Sequence, residues 1–159
     1  MKVRQYVYLG IRSSSVDPGL ISERLGLIPD EVDLRGSRHQ GPPLVPRRHL
    51  WRLTSGVARD DVPLDEHFDS LLVRLADSSS RLRDLLKTEG VSAAIQVFRN
   101  FEPGPEDRAV SEPGRHGHDF ERLRGQHPLV GFVITPSLVA YAAAAGIGFD
   151  FDEYGDEDE

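Results

Sequence analysis

The sequence predicts an α+β domain, a mainly antiparallel sheet with helices on one side, and three observations carry that expectation. Val3 to Arg12 alternates at period two: Val3, Gln5, Val7, Leu9 and Ile11 fall on one face and Arg4, Tyr6, Tyr8, Gly10 and Arg12 on the other, the pattern of a half-buried strand. Leu64, Phe68, Leu71, Leu72 and Leu75 recur at helical spacing, so one side of a helix is apolar. The segment from Leu129 to Tyr154 reads as strand, helix, strand, with Val130, Phe132, Val133 and Ile134 before Pro136 and alternating Ile147, Phe149 and Phe151 after Gly146.

The remaining elements follow in order. Asp17 before Pro18 is an N-cap followed by a first-turn proline. Leu20, Ile21 and Leu25 then give a short helical stripe that Gly26 ends. Residues 28–48 hold four prolines and two glycines and read as a long loop, a length usual for functional segments. His49, Trp51 and Leu53 share one face of a strand closed by Ser55-Gly56. Beyond Leu75 the stripe continues through Leu82, Leu85 and Leu86, interrupted by Ser78 to Ser80, which either recap a second helix or form an exposed turn. Ser92 to Phe101 is the next strand. Residues 102–128 are rich in proline, glycine and charge and read as a flexible insertion.

A short echo links two pieces. Leu9-Gly10-Ile11 leads to a Leu-Ile helix ending at Gly26, and Val130-Gly131-Phe132 leads to a Leu-Val helix ending at Gly146. The order β-α-β-α-β-β-α-β then fits two ferredoxin-like (split βαβ) halves. Residues 1–154 form one domain on this reading, and 155–159 an acidic tail.

Composition narrows the function classes. Hydrophobic residues at 38% and charged residues at 28% describe a globular chain. No apolar run approaches the ~20 residues of a membrane span, and Met-Lys-Val-Arg-Gln-Tyr has no signal core. With no cysteine there is no thiolate chemistry, and a cytoplasmic location is expected. The net charge of −7 argues against a general nucleic-acid binder. The charge is uneven, however. Five arginines and no acid lie between Arg35 and Arg52, whereas Asp150 to Glu159 holds seven acids and no base.

The opening strand with Asp17-Pro18, the Leu25-Gly26 turn, the Gly36 loop before Trp51-Arg-Leu-Thr-Ser55 and the Leu64–Leu75 helix resemble the DUF4279 proteins, small bacterial domains of unknown function. Gly131-Phe-Val-Ile and Ala145-Gly-Ile-Gly-Phe-Asp-Phe-Asp152 extend the resemblance. The order of elements carries it rather than any single motif, and it implies a fold but no site.

Five candidate sites stand out. Arg35, Arg38, Arg47, Arg48 and Arg52, with His39 and His49, form a basic loop that suits a phosphate, a carboxylate or an acidic partner; the alternative is pairing with the protein's own acids. Trp51 is either a stacking platform beside those arginines or a core anchor. His116, His118 and Asp119, with His127 further on, are metal-ligand types in an otherwise loop-like stretch, and Asp150 and Asp152 share one strand face. Tyr6, Tyr8, Phe98 and Tyr154 fall on the polar side of their strands, where exposed rings suit a protein partner or a second copy of the chain.

No G-x-S-x-G elbow, P-loop, G-x-G-x-x-G or H-E-x-x-H is present. The expectation is a non-catalytic binding module without a cofactor, recognising an acidic partner or small anion, a toxin-neutralising immunity protein being one version. The alternative is a small metal-dependent enzyme using His116, His118 and Asp119, or Asp150 and Asp152.

Overall fold

The computed structural model describes residues 2–37, 46–59, 62–102, 110–112, 120–122 and 131–155. In chain order the elements are β1 (Lys2–Ser13), α1 (Pro18–Leu25), β2 (Glu31–Asp33), β3 (His49–Thr54), α2 (Leu64–Leu75) and α3 (Ser79–Leu86). There follow β4 (Val91–Glu102), β5 (Val110–Glu112), β6 (Phe120–Arg122), α4 (Pro136–Ala145) and β7 (Gly148–Gly155).

Strand β1 is the centre of a five-stranded sheet of order β2-β3-β1-β4-β7. Its neighbours β3 and β4 run antiparallel to it, and β2 pairs antiparallel with β3. Among the described strands only β4 and β7 pair in parallel; a parallel pair needs a crossover, and α4 lies in it. The sheet is therefore mainly antiparallel, as expected. The strands form one continuous sheet rather than two halves: β1 and β2, on either side of α1, run the same way with β3 between them, a single split βαβ unit, whereas β7 pairs directly with β4.

The period-two pattern of β1 sorts its side chains as its sequence says. Val3, Gln5, Val7, Leu9, Ile11 and Ser13 are buried, while Arg4, Tyr6 and Arg12 are exposed. Trp51 and Leu53 of β3 and Ile95 and Val97 of β4 continue the inner face. Ile21 and Leu25 of α1, Leu64, Phe68, Leu71 and Leu75 of α2, Leu82 and Leu85 of α3, and Leu138, Ala142 and Ala145 of α4 close onto it as one cluster. Leu20, expected in the α1 stripe, points outward and is 38% exposed.

Two helices share the same local grammar. In α1, Asp17 accepts from the Gly19 amide at 2.8 Å before Pro18, and Gly26 at φ 67° stops the helix. In α4, Thr135 accepts from the Leu138 amide before Pro136, and Gly146 at φ 74° stops it. A left-handed residue there costs glycine no side-chain clash. The sequence echo is thus real for the helices. It fails for the strands, because residues 131–135 are not a strand. Phe132 and Ile134 do turn toward the core while Val133 is exposed. The alternation there reflects an extended chain packed by its side chains, since β7 already occupies the outer edge of β4.

The other departures are local. The long loop contains β2. The serine break separates two helices, with Ala76 at φ 43° in the turn, and Ser78 turns its hydroxyl to Tyr141 at 2.8 Å instead of capping α3. The stretch 102–128 holds the antiparallel β5–β6 hairpin.

Candidate functional site

With the helices on one side, the other side of the sheet carries side chains that the described residues do not cover. The register sets its rows. Tyr6 of β1 lies opposite Phe98 of β4, and Tyr8 lies opposite Gln96, which lies opposite Asp150 of β7. The rings stack diagonally across three strands: Tyr8 to Tyr6 at 6.1 Å, Tyr6 to Phe98 at 4.6 Å and Phe98 to Tyr154 at 5.2 Å between centroids. Tyr6 is 45% exposed and Tyr154 53%. Burial against one another raises the pKa of the Tyr6 and Tyr8 hydroxyls, with Arg52 opposing, so both stay neutral hydrogen-bonding groups.

Charge frames the ladder unevenly. On the β3 side Arg52 lies over the Tyr8 ring at 5.7 Å, holds Glu31 at 2.6 Å and approaches Asp33 at 3.8 Å. Partial burial works against its charge, but the Glu31 hydrogen bond and the neighbouring anionic groups leave its pKa raised. Arg4 pairs with Glu102 at 3.3 Å. On the β7 side the acids of this face pair with no cation among the described residues. Asp150 takes a hydrogen bond from the neutral Gln96 amide at 2.6 Å, and Asp152 stands exposed beside Phe98.

Two of the arginines expected to act together, Arg52 and Arg35, have separate partners. Arg52 belongs to the open face and is held by acids. Arg35 donates to the Ser14 carbonyl at 2.9 Å. Arg47 and Arg48 are exposed, and Arg38 and His39 lie outside the described residues, as do His116, His118, Asp119 and His127. His49 faces the loop, its Nδ1 accepting from the Arg35 amide. Trp51 is a correction to the stacking-platform reading. It is completely buried on the opposite face from Arg52, its indole N–H donating to Ser22 Oγ at 2.9 Å, so no ligand reaches its ring.

Among the described residues no group of three or more His, Asp or Glu is placed to hold a metal ion; Asp150 and Asp152 supply two carboxylates without a third.

Three arrangements escaped the sequence reading. Asp30 grips Arg74 of α2 with both oxygens, at 2.7 and 2.9 Å, and accepts from the Thr54 amide and hydroxyl. The Arg74 hydrogen bond above all lowers the Asp30 pKa to about 2. Ser55 Oγ meets His67 Nδ1 at 2.8 Å, but both side chains are sealed from solvent; the pair joins the Ser55 turn to α2 and cannot present a nucleophile to a substrate. Arg99 crosses the inner face to Glu153 at 2.6 Å and to Gln5, over the Phe101 and Phe132 rings. Polar residues within an apolar alternation, Gln5 and Arg99, were the available signal for the last.

No curated protein and no solved structure matches the chain. A family model, Domain of unknown function (DUF4279), matches residues 2–112, which take in β1 through β4 and reach β5 but stop short of α4 and β7. The chain therefore belongs to the DUF4279 family.

Proposed function

We propose that this protein is a non-catalytic binding module whose recognition surface is the open face of the sheet. The occupant is a protein segment presenting arginine or lysine beside apolar side chains. One observation carries the reading: a diagonal of four neighbouring rings lies beside Asp152 and, in the Tyr8–Gln96 row, Asp150, acids that no cation among the described residues pairs with. Ring faces attract cations and apolar groups alike, and an uncompensated acidic edge steers a basic partner. An acidic partner or small anion fits less well, since Arg52 is already held by Glu31 and Asp33 and Arg35 by Ser14.

An array of peptides in which Arg or Lys alternates with Tyr, Phe or Leu, beside versions with Glu in place of the bases, tests this. Basic peptides should bind, weaken with salt and lose binding to Phe98→Ala and Asp152→Asn proteins. Preferential capture of the Glu peptides would restore the anion reading and overturn this one. So would a dimer in solution that Phe98→Ala dissociates, because a second copy would then be the occupant.

A further inference from the structure

The open face has one feature that the ring ladder does not use. Gly10 of β1, Ala94 of β4 and Gly148 of β7 stand side by side in the register, a row with almost no side chain. Gly10 and Ala94 of this row floor a depression of about 170 Å³. On one side Tyr8, Gln96 and Asp150 form a wall; on the other stand Arg12 and Ser92. A Cβ at Gly10 would sit 3.1 Å from Tyr8 Cε2, so the Tyr8 ring would have to shift to admit a side chain.

The polar groups make this more than a gap between side chains. Gln96 is only 5% exposed, and its amide donates to Asp150 Oδ2 at 2.6 Å, fixing the carboxylate at the trough wall while leaving it negative. Arg12 is exposed and makes no ion pair among the described residues. A fixed anion and an unengaged guanidinium thus face one small cavity. Diagonal rows four residues and two strands apart leave a gap that a long arginine side chain and a short ligand bridge together.

We infer that the trough binds a free α-amino acid or equally small zwitterion, its carboxylate on Arg12 and its ammonium on Asp150. Guanidinium holds carboxylate through paired N–H donors, and the opposite charges reject ligands bearing one charge alone. The inference shares the open face with the docking reading but uses none of the Tyr6, Phe98 and Tyr154 rings, and its readout is a small ligand rather than a peptide, so either can fail without the other.

The test is a titration of the full chain with each free L-amino acid, followed by the backbone amide NMR signals of Gly10, Ala94 and Gly148. The expected result is a saturable shift of those signals by at least one amino acid. The N-acetyl and methyl-ester forms of that amino acid should bind at least about tenfold more weakly, the loss of one charge-assisted hydrogen bond. Arg12→Gln and Asp150→Asn should each weaken the parent similarly while the remaining signals keep their dispersion. No shift by any amino acid up to about 10 mM, the range of weak but specific binding, would overturn the inference. Equal binding of the derivatives, or binding that survives both substitutions, would overturn it too.

Discussion

The two faces of one sheet follow opposite rules. On the inner face β1, β3 and β4 meet helices, and Val7, Leu9, Ile11, Trp51 and Ile95 are fully buried. Polar side chains there are tied into chains of contacts, as Gln5 is to Arg99 and Arg99 to Glu153. On the outer face the rings cover only one another, and acids stand at the β7 edge with a neutral amide for company. The first face obtains its burial from its own chain. The second has the composition of an interface, with aromatic groups at the centre and charge at the rim. Alternation along a strand sorts residues into two sets; it does not say which set the chain itself will cover.

The largest expected difference between the faces lies in stability. Trp51→Ala empties a fully buried site and removes the bond to Ser22, so it should cost about 3–5 kcal/mol, the usual range for large aromatic deletions. Phe98→Ala removes a partly exposed ring and should cost no more than about 1.5 kcal/mol, the scale of aromatic pairing. Urea unfolding of both variants measures the contrast, and comparable losses would mean that the outer rings are part of the core. Only Phe98→Ala should abolish binding of basic peptides while the fold remains.

The same contrast explains what the sequence revealed. Period two in β1, β3 and β4 identified the inner face residue by residue, because burial acts directly on side-chain polarity. The caps of α1 and α4 were legible for the same local reason: Asp17-Pro18 and Gly26 act on their own turns. Sheet order was not legible. Nothing local in Gly148–Gly155 says that it runs parallel to β4, and Phe132 to Ile134 alternate like a strand although no free edge of β4 is left to pair with them. The ring ladder was visible as a set, Tyr6, Tyr8, Phe98 and Tyr154, though its diagonal stacking depends on register. The basic loop misled because closeness in sequence was taken for closeness in space. Adjacent strand residues point to opposite faces, which separates Trp51 from Arg52. The trough needed three strands in register before Gly10, Ala94 and Gly148 became one row, although an isolated glycine inside a strand pattern is a signal of close approach.

A smaller effect is expected where the two faces meet the helices at the sheet edge. Asp30 holds Arg74 and Thr54 together, and its pKa falls from 3.8 to about 2. A depressed carboxylate contributes stability that is fully present above its unfolded value of 3.8 and is lost as pH falls through about 2. Asp30 is about one-third exposed, so solvent screening reduces its contribution to about 1 kcal/mol. Urea midpoints measured from pH 5 down to about pH 2 should decline for the native chain, and the Asp30 share of the decline should shrink in Arg74→Met, where only the Thr54 hydrogen bonds still lower its pKa. An identical acid limb in the two proteins would show that the pair does not join α2 to the sheet.

The smallest change in stability should come with a clear change in binding, at Gly10. Alanine reduces the freedom of the unfolded chain, which favours the folded state by roughly 0.5–1 kcal/mol where the backbone fits. The new methyl group meets Tyr8 Cε2 at 3.1 Å, and moving that ring partly undoes its contact with Tyr6. The two terms oppose, so the net change should stay within about 0.5 kcal/mol even though Gly10 itself is buried. The trough floor, however, is filled by the methyl and narrowed from the Tyr8 side, so amino-acid shifts at Ala94 and Gly148 should be lost. A residue of the inner face cannot behave this way, because there any change of volume is felt through packing. If Gly10→Ala were strongly destabilising, the outer face would be as tightly packed as the inner one, and the separation of stability from recognition across this sheet would not hold.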